Sequence, residues 1–133
     1  MYQYEIYELN KICVFRGSGI VSPNEINSVS HTIINDERWQ SGWDILFDYK
    51  DVNNVEEMDY TRMAVAVDKG KAFNSVLGVG RWAIVAPNPL VYGLFRMWQM
   101  LSEGYHNIDI NLFKDLNVAL QWLGILDKSS IGY

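Results

Sequence analysis

Apolar residues recur along this chain with two periods, and the switches between them cut it into short alternating elements. Residues 2–9 alternate, Tyr2, Tyr4 and Ile6 against Gln3, Glu5 and Tyr7, which is the period of a half-buried strand. Asn10-Lys11 makes a tight turn, and residues 12–16 form a second strand, close enough for an antiparallel hairpin. Gly17-Ser18-Gly19 is expected to end it. Ser22 and Glu25 have capping-box spacing, with Pro23 at the first helical position. Ile26, Val29 and Ile33 give that helix an apolar stripe, and it is expected to run to about Glu37.

Residues 43–49, Trp-Asp-Ile-Leu-Phe-Asp-Tyr, are a third strand, followed by a polar, acidic loop over 51–57. Asp59 is placed to cap a second helix, whose Tyr60, Met63, Ala64 and Val67 fall at i, i+3, i+4 and i+7. Residues 74–80 read as a loop. Gly78-Val79-Gly80 precedes a strand instead of following one, so it is a turn and no phosphate-binding fingerprint. Residues 82–86 are a buried strand that runs through Pro87-Asn88-Pro89 into a third helix. There Asn88 is a good N-cap, and Pro89 costs nothing at the first helical position. Ile108, Ile110 and Leu112 mark a fifth strand. Asp115 caps a last helix that buries Leu116, Ala119, Leu120 and Leu123, and Gly124 stops it.

The order is β-β-α-β-α-β-α-β-α. Strands alternating with helices give an α/β fold: a five-stranded, mostly parallel sheet with an antiparallel first strand and four helices on its faces. A single domain is expected over 1–124, with 125–133 as a loose C-terminal tail.

The third helix has more apolar positions than one stripe needs. Leu90, Leu94, Met97 and Leu101 are expected to pack on the sheet, which leaves Tyr92, Val91, Phe95 and Trp98 over. Neighbouring helices would cover these, or they form a homodimer interface with Arg96, or they line a pocket for an apolar ligand.

Composition narrows the partners. The 133 residues carry a formal net charge of −5 with no Lys/Arg cluster, which disfavours nucleic acid. No apolar run approaches the length of a membrane span and the start lacks the pattern of a signal peptide, so the cytoplasm is expected. Five Trp and eight Tyr point to a well-filled core, an aromatic pocket or an interface. The one cysteine, Cys13, sits within a strand and reads as a small core hydrophobe.

In open α/β sheets ligands bind beyond the carboxyl ends of the strands. Asp48 and Asp51 lie there and offer an acid/base pair or a divalent-ion site, but no His or third ligand follows at useful spacing. The plainer reading has Asp48 accept loop N–H groups and leaves Asp51 solvated. Asn88 opens a helix start suited to an anion, or simply caps it. His31 and His106 stand alone and read as surface residues. No cofactor, no metal and no catalytic constellation is expected.

Three segments carry a family resemblance. They are Asp44-Ile45-Leu46-Phe47-Asp48; Arg81-Trp82-Ala83-Ile84-Val85-Ala86-Pro87 with Val91-Tyr92-Gly93-Leu94-Phe95-Arg96-Met97; and Leu112-Phe113-Lys114-Asp115-Leu116 with Ala119-Leu120-Gln121-Trp122-Leu123. Over nearly the whole chain it resembles the bacterial STAS-like group, similar to anti-sigma-factor antagonists and classed beside the CRAL-TRIO lipid-transfer domains. Most members have no assigned function. The resemblance implies a fold more than an activity. Anti-sigma-factor antagonists carry a phosphorylatable serine at the start of the helix after the third strand. Here residues 51–59 hold no serine, only Thr61 is near, and the acidic residues disfavour a phosphoswitch. The expectation is a non-catalytic regulatory module acting through protein–protein contact, homodimeric through the third helix. The alternative is a carrier or sensor of a small apolar or lipid-like ligand.

Overall fold

Parallel neighbours joined in sequence by right-handed crossovers put every crossover helix on the same side of a sheet. That rule accounts for the layering of this chain. The structure is a computed structural model that describes residues 2–22, 24–56, 60–70, 80–104 and 106–133. The expectations for Pro23, for residues 57–59 with the Asp59 cap, for the loop over 74–79 with Gly78 and Val79, and for the side chains of Ile26 and Tyr60 lie outside the described residues.

The strands are β1 (Tyr2–Tyr7), β2 (Ile12–Val21), β3 (Asp44–Val55), β4 (Arg81–Val85) and β5 (Asp109–Phe113). They lie in the order β1-β2-β3-β4-β5, with β1 antiparallel to β2 and the rest parallel. The helices are α1 (Glu25–Ile34), α2 (Tyr60–Gly70), α3 (Pro89–Ser102) and α4 (Leu116–Leu123). The expected five strands and four helices are present.

α1, α2 and α3 are the three crossovers and share one face. Their Val29, Ile33, Met63, Val67, Val91 and Phe95 form one core with the strand residues Phe15, Phe47, Tyr49, Trp82 and Ile84. Strand residues one position over, Val14, Leu46, Ala83 and Val85, form a second core under α4 on the opposite face. The alternation of side chains along a strand separates the two sets. Arg81 ties the second layer down: its guanidinium pairs with Asp44 at 2.9 Å and donates to the Trp122 and Leu123 carbonyls that end α4.

Several boundaries differ from the sequence reading, each for a local reason. β2 does not end at Gly17-Ser18-Gly19. It continues to Val21 with register shifts between Arg16 and Ser18 and between Gly19 and Ile20. Gly17 suits this position, because a Cβ on it would lie 3.0 Å from the buried Tyr49 ring, closer than ordinary packing. β3 extends through Asp51 to Val55, the stretch expected as a loop, since β2 still offers it a partner as far as Val21. α1 begins at Glu25 with Asn24 as an N-cap that makes no side-chain bond, so the Ser22–Glu25 capping box is not formed. It ends at Ile34, where Asp36 is claimed by the Arg38 guanidinium and the Tyr4 hydroxyl.

α3 is rotated relative to expectation. Its buried residues are Val91, Leu94, Phe95, Trp98 and Ser102, whereas Leu90 is 61% exposed. Large rings bury more area than Leu90 or Met97, so the helix turns its aromatic side inward.

The last nine residues are not a loose tail. Asp127 caps a 3-10 turn, Lys128–Ile131, and Ile131 is fully buried in the core beneath α4. An eight-residue α4 alone leaves that face short of cover, and Ile131 completes it.

Candidate functional site

Midway along β2 and β3, level with the carboxyl end of β4, alternation turns Arg16 and Asp48 to the α4 face and Gly17 and Tyr49 to the other. Asp48 is only 1% exposed, and its carboxylate is fully engaged. Oδ1 accepts the Lys50 backbone N–H at 3.0 Å, and Oδ2 accepts the Tyr133 hydroxyl at 2.6 Å. The Tyr133 ring lies beneath two cations, with the Arg16 guanidinium carbon 4.5 Å and Lys50 Nζ 5.6 Å from its centroid. Arg16 also donates to the carbonyls of Ile131 and Gly132. Burial and the bond to Asp48 hold the Tyr133 phenol well above its ordinary pKa.

Asp51 is exposed and does not join Asp48 in a pair. It lines a half-open cleft of about 260 Å³ with Tyr2, Gln3, Arg16, Gly17 and Ser18. Arg16 is the residue common to the cleft and the tyrosine cluster. Among the described residues, no three His, Cys, Asp or Glu side chains gather closely enough to hold a metal ion.

The other candidates separate. Asn88 caps α3, accepting from the N–H groups of Leu90 and Val91, and its amide donates to the Asn53 carbonyl at 3.4 Å. Its acceptor oxygen is therefore occupied. Phe95 and Trp98 are 3% and 6% exposed, and their ring faces are taken by Tyr49 at 4.5 Å and Trp82 at 6.3 Å. They are core side chains, neither left over nor presented at the surface. Tyr92 is half-buried with Lys114 Nζ 5.2 Å from its ring centroid, and exposed Arg96 donates to Gln99. His106 is half-buried, and burial lowers its pKa. Burial pushes the Cys13 thiol up to about 12, which keeps it protonated and inert.

A second polar pair, buried Tyr49 and half-buried Glu25, lies on the three-helix face. The Tyr49 hydroxyl and Glu25 Oε2 are buried with no hydrogen-bond partner among the described residues, and burial raises the pKa of both groups.

Sequence reasoning named Asp48 but missed Arg16, Lys50 and Tyr133. The missing signal was present in the tail: Asp127 as a cap, Ile131 as an apolar anchor and Gly132 as a stop.

No protein-family model and no curated protein sequence matches the chain. Among solved structures, it is similar to an uncharacterised DUF3478-family protein with a SpoIIAA-like fold from Shewanella loihica PV-4. The TM-score is 0.52 at 15% identity, covering 92% of this chain and 93% of the other. This chain has a SpoIIAA-like, that is STAS-like, fold. The segment after β3 is the one where the resemblance led to the expectation of no phosphoswitch. Residues 57–59 of it lie outside the described residues, and Thr61 is exposed in the first turn of α2. Among the described residues no helix is long and apolar enough to cross a membrane.

Proposed function

We propose that this protein is a non-catalytic regulatory binding module that works through protein–protein contact at the carboxyl-end rim of its sheet. A second copy of the chain is the first partner to test. The observation that carries this reading is a pair of exposed apolar residues on locked backbone. Ile20 and Leu90 are each 61% exposed. Ile20 pairs with Asn54 in the β2–β3 ladder, and the neighbouring Asn53 carbonyl accepts from Asn88, which in turn caps the turn bearing Leu90. A single exposed leucine is ordinary. Two large apolar side chains on a pinned rim, at the edge where this class of sheet meets its ligands, make a contact surface that needs little ordering on binding. What supports the non-catalytic part of this reading is that both Asp48 oxygens already serve the Lys50 N–H and the Tyr133 hydroxyl.

Sedimentation equilibrium across the micromolar range tests the proposal. A reversible dimer is expected, weakened at least tenfold by Leu90→Glu and further by adding Ile20→Glu. A mass that stays monomeric at every concentration removes the second copy as partner. A dimer untouched by both substitutions removes the rim.

A further inference from the structure

We infer that the β2–β3 face carries a binding site for a phenol ring, and that the chain fills this site with its own Tyr133. The assignment is independent of the rim contact proposed above. It rests on three complementary features. The acceptor is a carboxylate that is almost completely buried, and the hydroxyl reaches it at 2.6 Å, the short distance of a charge-assisted O–H···O⁻ bond. Two cations lie over the ring, Arg16 at 4.5 Å from its centroid and Lys50 at 5.6 Å, within cation–π range. The tail backbone is threaded tightly into place: Gly132 has φ +84, and a Cβ on it would lie 2.5 Å from the Tyr7 hydroxyl and 3.3 Å from Arg16 Nη2.

Together these features select a chemical class. Asp48 needs a donor. An ammonium would supply one but meets Arg16 and Lys50 with like charge. A carboxylate would suit the two cations but is repelled by Asp48. An aliphatic alcohol satisfies Asp48 and leaves the cations without a π face. A hydroxyphenyl group satisfies all three, whether it arrives as a tyrosyl side chain of a polypeptide or as a free phenol.

The segment that carries the occupant is anchored at one buried residue. Of residues 126–133 only Ile131 is fully buried, while Leu126 through Ser130 and Gly132 are exposed. Tyr133 thus acts as an intramolecular occupant with an effective concentration on the order of millimolar, and a free phenol binds the intact chain only in competition with it.

The test is a titration of the full-length Tyr133→Ala protein with p-cresol, followed by amide shifts in nuclear magnetic resonance. Saturable shifts are expected at Arg16, Asp48 and Lys50, with the unsubstituted protein at least about tenfold weaker. Adding Asp48→Asn, which removes the charge that assists the bond, or replacing p-cresol by toluene, which has no hydroxyl to donate, is expected to weaken binding about tenfold or more. Gly132→Ala strains the φ +84 turn that presents Tyr133 without removing a pocket group, and is expected to bind p-cresol more tightly than the unsubstituted protein. It is the second route if one variant folds poorly. N-acetyltyrosinamide, run in parallel, identifies the source: tighter binding than p-cresol marks a polypeptide tyrosine, and weaker binding marks a free phenol. A folded variant without saturable shifts, or toluene binding as well as p-cresol, overturns the assignment.

Discussion

On one face of the sheet three helices lay aromatic and aliphatic side chains against aromatic strand residues. On the other, one short helix and the last residues of the chain cover a smaller apolar patch bordered by charged groups. Phe15, Phe47 and Trp82 adjoin one another on the first face with centroids 5.2–5.8 Å apart, and Trp98 and Phe95 close over them. Asp44–Arg81 and Asp48–Tyr133 flank the second. The first face is held by area removed from water, which is non-directional and large. The second depends more on directional bonds, each of small net worth but costly to leave half made. Stability should therefore reside in the first face and adjustable behaviour in the second.

Truncation of one anchor on each face measures this difference. Trp98→Ala removes a ring packed on Trp82 in the centre of the larger core, and a loss of about 3–5 kcal/mol is expected. Ile131→Ala opens a cavity at the end of the chain, where exposed neighbours can settle into it, and about 2 kcal/mol is expected. Urea unfolding monitored by tryptophan fluorescence gives both values. Equal losses would mean that the two faces are sealed equally well, and the contrast would fail.

The next effect is smaller and depends on pH. Tyr133→Phe keeps the ring under Arg16 and Lys50 but leaves Asp48 with one partner fewer, at a cost of about 1.5 kcal/mol near neutral pH. Burial first, then the Asp48 bond, raises the Tyr133 phenol above its ordinary value of 10.0. A proton held more tightly in the folded state stabilises it fully below the unfolded pKa, and that contribution is lost as pH rises beyond 10.0. The gap between the parent protein and Tyr133→Phe should therefore be constant near neutrality and close above that point. Tyr49 is also raised, so both proteins weaken in alkali, and their difference isolates Tyr133. A gap that persists unchanged in alkali would place the Tyr133 contribution elsewhere than in its protonated hydroxyl.

The element order was legible because each element carries its own local signal. Asn88 before Pro89, Asp115 before Leu116 and Gly124 after Leu123 are read from neighbours alone, and all three caps are in place. What was not legible depends on residues far apart in sequence. β3 runs on to Val55 because β2 supplies partners across the β2–β3 ladder, which no window of residues 51–57 contains. The Asp48 site is likewise closed by a residue 85 positions away. Asp48 as a candidate polar residue was visible in the chain; its occupant was not.

The smallest predicted effect is the most direct check on how α3 is turned. Periodicity permits two stripes, 90/94/97/101 and 91/94/95/98, and both have helical spacing. The first stripe, Leu90, Leu94, Met97 and Leu101, is the one expected from the sequence to pack on the sheet. The structure uses the second, since Tyr49 and Trp82 project from the strands beneath and stack with Phe95 and Trp98. Under the first stripe Leu90→Ala would cost about 2–5 kcal/mol as a core truncation. Under the observed one Leu90 is 61% exposed, and the same substitution should fall within about 0.5 kcal/mol of neutral. Calorimetric melting of Leu90→Ala beside Trp98→Ala decides between them, and a large loss at Leu90 would reverse the assignment of the helix face. It would also remove Leu90 from the rim, where its exposure is what makes it a contact residue.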